Sequence, residues 1–126
     1  MQQFNFKGIK SRLTSLGCIE KDPSNSFDYI INSIKGFKKS IFFILNGDYN
    51  TYDKNLPLTS PLQQELITKL AEKSNIGIHP SYQSNFENNS LQKEINSLKS
   101  FIKNPIINSR QHFLMLEFPN TYQNLI

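Results

Sequence analysis

Cysteine is almost missing from this chain of 126 residues: Cys18 stands alone. A single thiol forms no internal disulfide and no cysteine-rich metal site, and nothing around Cys18 suggests an activated nucleophile. No apolar run reaches membrane-spanning length, and no signal peptide opens the chain, so a cytoplasmic protein with no membrane partner is the default expectation. Glycine-rich phosphate loops and dinucleotide fingerprints are absent, as are a nucleophile elbow and a His-Glu-x-x-His zinc helix. An open α/β response or nucleotide domain would need an acidic or glycine-rich loop after its first strand, which the sequence does not show.

Hydrophobic residues are plentiful enough for a folded domain, at 37% with 10 Phe. At this length a single domain buries a core without disulfides or metal. The net charge is +4. Its one local cluster, Lys35, Lys38 and Lys39, reads as a solvated helix end rather than a nucleic-acid stripe, so no nucleic-acid partner is expected.

Periodicity sets the organisation. After an unassigned opening (1–21), Asp22-Pro23 offers a helix start, and Phe27, Ile30, Ile31 and Ile34 fall at helical spacing, predicting a helix over 23–36. Ser40 to Leu45 is a continuous apolar run, expected to be a strand buried on both faces. Asn46-Gly47-Asp48 breaks it, and a polar loop runs to Thr59. Ser60-Pro61-Leu62-Gln63 predicts a capping box, with Leu62, Leu66, Ile67 and Leu70 as the buried stripe of a helix ending near Ser74. Ile76 to Ile78 is a short strand that stops at His79-Pro80. Leu91, Ile95, Leu98 and Ile102 mark a third helix stopped by Asn104-Pro105. Ile106 and Ile107 with Ser109 to Met115 suggest a third strand, and Pro119 opens a last helix. Alternation of this kind implies an α/β fold of parallel strands with alternating helices, either an open sheet or part of a barrel.

In such folds chemistry gathers at the C-terminal strand ends. The first end presents Asn46, Asp48, Tyr49 and Tyr52; the second presents His79, Ser81, Tyr82 and Gln83; the third strand carries Arg110, Gln111 and His112. Both histidines thus fall on site-forming strands. Two histidines alone do not close a metal site, and Asp48 is the nearest carboxylate by position, with a plain turn-forming role as the other reading.

Taken together, Phe42-Phe43-Ile44-Leu45-Asn46-Gly47-Asp48-Tyr49 with Tyr52-Asp53-Lys54, Ile76-Gly77-Ile78-His79-Pro80-Ser81-Tyr82, Ser109-Arg110-Gln111-His112-Phe113-Leu114 and Pro119-Asn120-Thr121-Tyr122 resemble a divergent bacterial polysaccharide deacetylase domain of the NodB type. The resemblance covers about residues 22 to 126 and implies a partial (β/α) barrel and metal-dependent hydrolysis of acetyl groups on a carbohydrate substrate. It places His79 at the first histidine of the metal-ligand motif, with zinc or a similar divalent metal as cofactor. Gln83 stands where the second histidine belongs, and His112 is the candidate to replace it. Arg110 matches the arginine of the third motif, and Ser81, Tyr82 and Gln83 join it as substrate-binding candidates. Neither the family's Asp pair nor its late histidine is matched, which leaves Asp48 as the one catalytic candidate. The expectation is an internal stretch of a longer domain with little activity of its own, whose exposed strand edges invite self-association. The competing expectation is a non-catalytic carbohydrate-binding or scaffold module on the same fold, its tyrosines Tyr49, Tyr52 and Tyr82 stacking on sugars.

Overall fold

A computed structural model describes residues 6–17, 22, 25–37, 39–87 and 89–125. Cys18, Pro23 and Lys38, with the expectations attached to them, lie outside the described residues. The chain divides into two compact units, 1–36 and 37–126.

The first unit holds helices α1 (Phe6–Leu16) and α2 (Phe27–Ser33). Helix α1 falls in the opening that periodicity leaves unassigned. Its apolar residues Ile9, Leu13 and Leu16 do follow a helical spacing, but they are largely exposed. Helix α2 is shorter than the predicted 23–36. It starts after Ser26, four residues past Asp22, and it buries Ile31.

The second unit is mixed α/β. It comprises strand β1 (Ile41–Leu45), helix α3 (Pro61–Lys73), strand β2 (Asn75–His79), helix α4 (Ser90–Lys99) and helix α5 (Asn120–Leu125). β1 and β2 pair in parallel, in register from Ile41 with Asn75 to Leu45 with His79. Both strands therefore end level, and the residues that follow them share one edge of the sheet. A third segment joins β2 on its other side by one parallel bridge, Ile78 with Ser109, closed by Ile78 N–H to Asn108 O at 2.9 Å and Arg110 N–H to Ile78 O at 3.0 Å.

The core gathers Leu58, Ile67 and Leu70 with Ile76 and Ile78 of β2 and Leu91, Ile95, Leu98 and Ile102 at α4. Burying each such side chain contributes about 1.5–3 kcal/mol. Gly77 sits between Ile76 and Ile78 where the sheet is tightest: a Cβ there would meet the Phe43 ring at 2.7 Å and Asn108 O at 2.9 Å.

Four further sequence expectations change. β1 is not buried on both faces; its residues are half-buried and Ile41 is exposed, because β2 is its one strand partner among the described residues. The capping box at Ser60 does not form: Ser60 precedes α3 without a side-chain cap, and Gln64 Nε2–H reaches back to Leu58 O at 2.7 Å instead. Leu62 is exposed, since at about 100° per residue it lies roughly 140° around the helix from Ile67. The third strand shrinks to its single bridge.

Candidate functional site

The loop after β1 turns back on itself at Asn50. Its side-chain Oδ1 accepts the N–H groups of Tyr52 at 2.7 Å and Asp53 at 3.0 Å, the local competition with regular backbone that Asn favours. That turn swings Asp53 inward until its side chain has no exposed surface. A buried carboxylate must be paired. Asp53 Oδ1 takes the backbone N–H of Tyr82 at 2.9 Å, and Oδ2 takes Asn50 Nδ2–H at 2.9 Å.

Beyond the bridge at Ser109 the chain leaves the sheet. Residues His112–Leu114 form a 3-10 turn, with Phe113 at φ 55° and Leu114 at φ 54°. Bulky side chains rarely adopt this left-handed region, and each such residue stores about 1–3 kcal/mol. The expected strand has already stopped at its one bridge, and the His112 ring lies beside His79 at the end of β2.

The result is a chain of contacts. His79 Nε2 and His112 Nδ1 lie 2.8 Å apart, with the rings nearly perpendicular at 82°. His79 Nδ1 meets the backbone carbonyl of Arg110. His112 Nε2 faces Tyr52 O at 3.2 Å and Asp53 Oδ1 at 3.6 Å. Burial lowers the His79 pKa below its ordinary 6.5, against the opposing pull of the Arg110 carbonyl, and the neighbouring His112 and Arg110 lower it further.

Hydrogen counting makes this arrangement informative. A carbonyl only accepts, so His79 Nδ1 carries a hydrogen and a neutral His79 turns a lone pair outward at Nε2. His112 Nε2 faces two acceptors, so it also carries a hydrogen. Between the rings there is then either one shared hydrogen, giving the pair a single positive charge, or two lone pairs that only a cation reconciles. Either solution places positive charge at the pair, one unit for a shared hydrogen and two for a divalent metal, with Asp53 the carboxylate beside it.

The two facing nitrogens stand 2.8 Å apart, at hydrogen-bond separation; a tetrahedral zinc shared by both would need them to part to roughly 3.3 Å. The backbone carbonyl behind His79 and the carboxylate behind His112 are the usual outer partners of metal-binding histidines. No group of three or more His, Cys, Asp or Glu side chains that could hold a metal ion occurs among the described residues. A catalytic zinc commonly has three protein ligands, so the pair is two-thirds of such a set.

Aromatic rings border the pair. Tyr52 stacks on Tyr82 with centroids 4.2 Å apart, Phe113 meets both edge-on at 6.0 and 5.6 Å, and Phe86 tilts against Tyr82 at 5.2 Å. Tyr52, Phe86 and Phe113 all remain exposed. On the other side of His79 an open cleft of about 330 Å³ is lined by Phe43, Arg110, Gln111, Phe113 and Leu114.

The remaining sequence candidates are placed elsewhere. Asp48 is exposed and lines a separate cleft with Lys93 and Glu94. Ser81 is buried; its N–H donates to Glu94 Oε2 at 3.0 Å and its hydroxyl to Glu94 Oε1. Gln83 is exposed and donates to Glu87. Arg110 contributes backbone to the bridge while its side chain is exposed. Tyr49 is exposed and lies under Lys54 Nζ, 4.8 Å from the ring centre.

Among the described residues, no helix is long and apolar enough to cross a membrane. No family model, curated protein or solved structure matches this chain.

Proposed function

We propose that this chain carries the metal-binding centre of a carbohydrate deacetylase of the polysaccharide deacetylase type, on a partial (β/α) barrel. The observation that carries the reading is the nitrogen-to-nitrogen approach of His79 and His112 at the ends of parallel strands, each ring held from behind by an acceptor. A divalent metal bound there would polarise the acetyl carbonyl and activate water. The chain's own residues prepare the place. The Arg110 carbonyl holds His79 with Nε2 turned outward, Asp53 and the Tyr52 carbonyl hold His112, and the Tyr52–Tyr82 stack offers a flat apolar face for a sugar ring. With two nitrogen ligands in place of three, turnover by this chain is expected to be slow.

The second reading is a carbohydrate-binding module without catalysis. The exposed rings of Tyr52, Phe86 and Phe113 favour it. Acetate release from N-acetylated oligosaccharides, measured with added zinc or cobalt, separates the two. Metal-dependent release above the level of His79→Ala supports the deacetylase. No release, combined with oligosaccharide binding that ignores a chelator, supports the module.

A further inference from the structure

Helix α1 has its faces reversed. Its half-buried residues are the small ones, Gly8, Ser11, Thr14 and Ser15, while the apolar Ile9, Leu13 and Leu16 are 47%, 63% and 81% exposed. A surface helix ordinarily turns its apolar stripe inward. At about 100° per residue, these three apolar side chains fall within about 60° of one another, roughly opposite the half-buried set. The Thr14 hydroxyl is satisfied inside the helix, by the carbonyls of Lys10 and Ser11 at 3.1 and 2.9 Å, so it turns inward without a lost hydrogen bond.

Charge indicates what the stripe meets. Lys10 and Arg12 are both exposed and flank the stripe, one on each side. With Lys7 they make three cations in a helix of 11 residues that contains no Asp or Glu. We propose that α1 is a peripheral membrane contact: it lies in the surface of an anionic bilayer, with Ile9, Leu13 and Leu16 inserted and Lys10 and Arg12 at the headgroups. This goes beyond the proposed function and does not depend on it. The helix is about 16 Å long, too short to cross a bilayer, and the expectation of no membrane partner rests on spanning length alone.

Other occupants fit the stripe less well. A second copy of α1 would set Lys10 and Arg12 against their own like charges, which opposes pairing. A stable protein interface takes about 20–30 residues a side, of which three side chains supply little. A bilayer demands no matching shape, and interfacial helices combine an apolar face with cations that reach back to the headgroups.

The test is co-sedimentation of the full chain with phosphatidylcholine vesicles, with and without phosphatidylserine. Binding should require phosphatidylserine. It should fall about tenfold in the double variant Leu13→Ser, Leu16→Ser, and about twentyfold in Lys10→Gln, Arg12→Gln. Lys99→Gln, Lys103→Gln removes the same charge from exposed positions elsewhere and should change binding little. No binding to either vesicle overturns the proposal, as does equal binding to both. Equal losses in the two lysine and arginine variants would reduce the attraction to net charge and overturn it too. Self-association without vesicles, lost in the double leucine variant, would give the stripe to a second copy instead. The chain contains no Trp, so Leu13→Trp places a single reporter on the stripe. Its emission should shift to the blue on the anionic vesicles; unshifted emission from vesicle-bound protein overturns the insertion.

Discussion

His79 Nε2 and His112 Nδ1 face each other at 2.8 Å across 33 positions of sequence. His79 ends β2, and His112 follows the segment that bridges β2 at Ser109, just before the left-handed pair Phe113 and Leu114.

The tyrosine stack should contribute to sugar binding without holding the fold. Tyr52→Ala removes one half of an exposed stacked pair, and such pairs contribute about 0.5–1.5 kcal/mol. Binding of an N-acetylated oligosaccharide, followed by ligand-observed NMR, should weaken about two- to tenfold while the thermal midpoint hardly moves. An unchanged affinity would remove the rings from the site.

Gly77 should tolerate no side chain. A Cβ would press on Phe43 and on the Asn108 carbonyl that builds the bridge beside β2. Gly77→Ala is expected to lose about 1–3 kcal/mol in urea unfolding, and to loosen Ser109 to His112 along with it.

Much of this scaffold was legible in the sequence. The apolar run to Leu45, the stop at His79-Pro80 and the stripe Leu91, Ile95, Leu98 each correspond to an observed element, and the strand-end rule points to His79. Asp53 was not legible. Position favours Asp48, next to the strand, and only the Asn50 turn carries Asp53 inward; Asn three residues before Asp was the available signal. The turn at Phe113 and Leu114 was illegible for a deeper reason. Apolar bulky residues read as strand, and nothing in their local preference announces a left-handed conformation.

Glu94 should make stability fall with rising pH. Burial raises its pKa above the ordinary 4.5, although the Ser81 hydrogen bonds pull the other way. A folded pKa above the unfolded one means that the contribution is complete below about pH 4.5 and is lost as pH climbs through the raised value. Relative to Glu94→Gln, the wild type should therefore lose stability as pH rises above 4.5 in denaturant titrations. A pH-independent difference would contradict this.

The free side of β1 should promote self-association. Among the described residues β1 pairs only with β2, and Ile41 is exposed beside it. Sedimentation velocity should show association that grows with concentration and falls in Ile41→Lys, since a charge on an edge strand discourages pairing. A monomer at all concentrations would count against it.

The central claim is that His79 and His112 form one cation site. Equilibrium dialysis against zinc tests it most directly. The account predicts one zinc per chain in the wild type and loss of that zinc in both His79→Ala and His112→Ala. A wild type without zinc, or variants that bind it as the wild type does, would contradict the account.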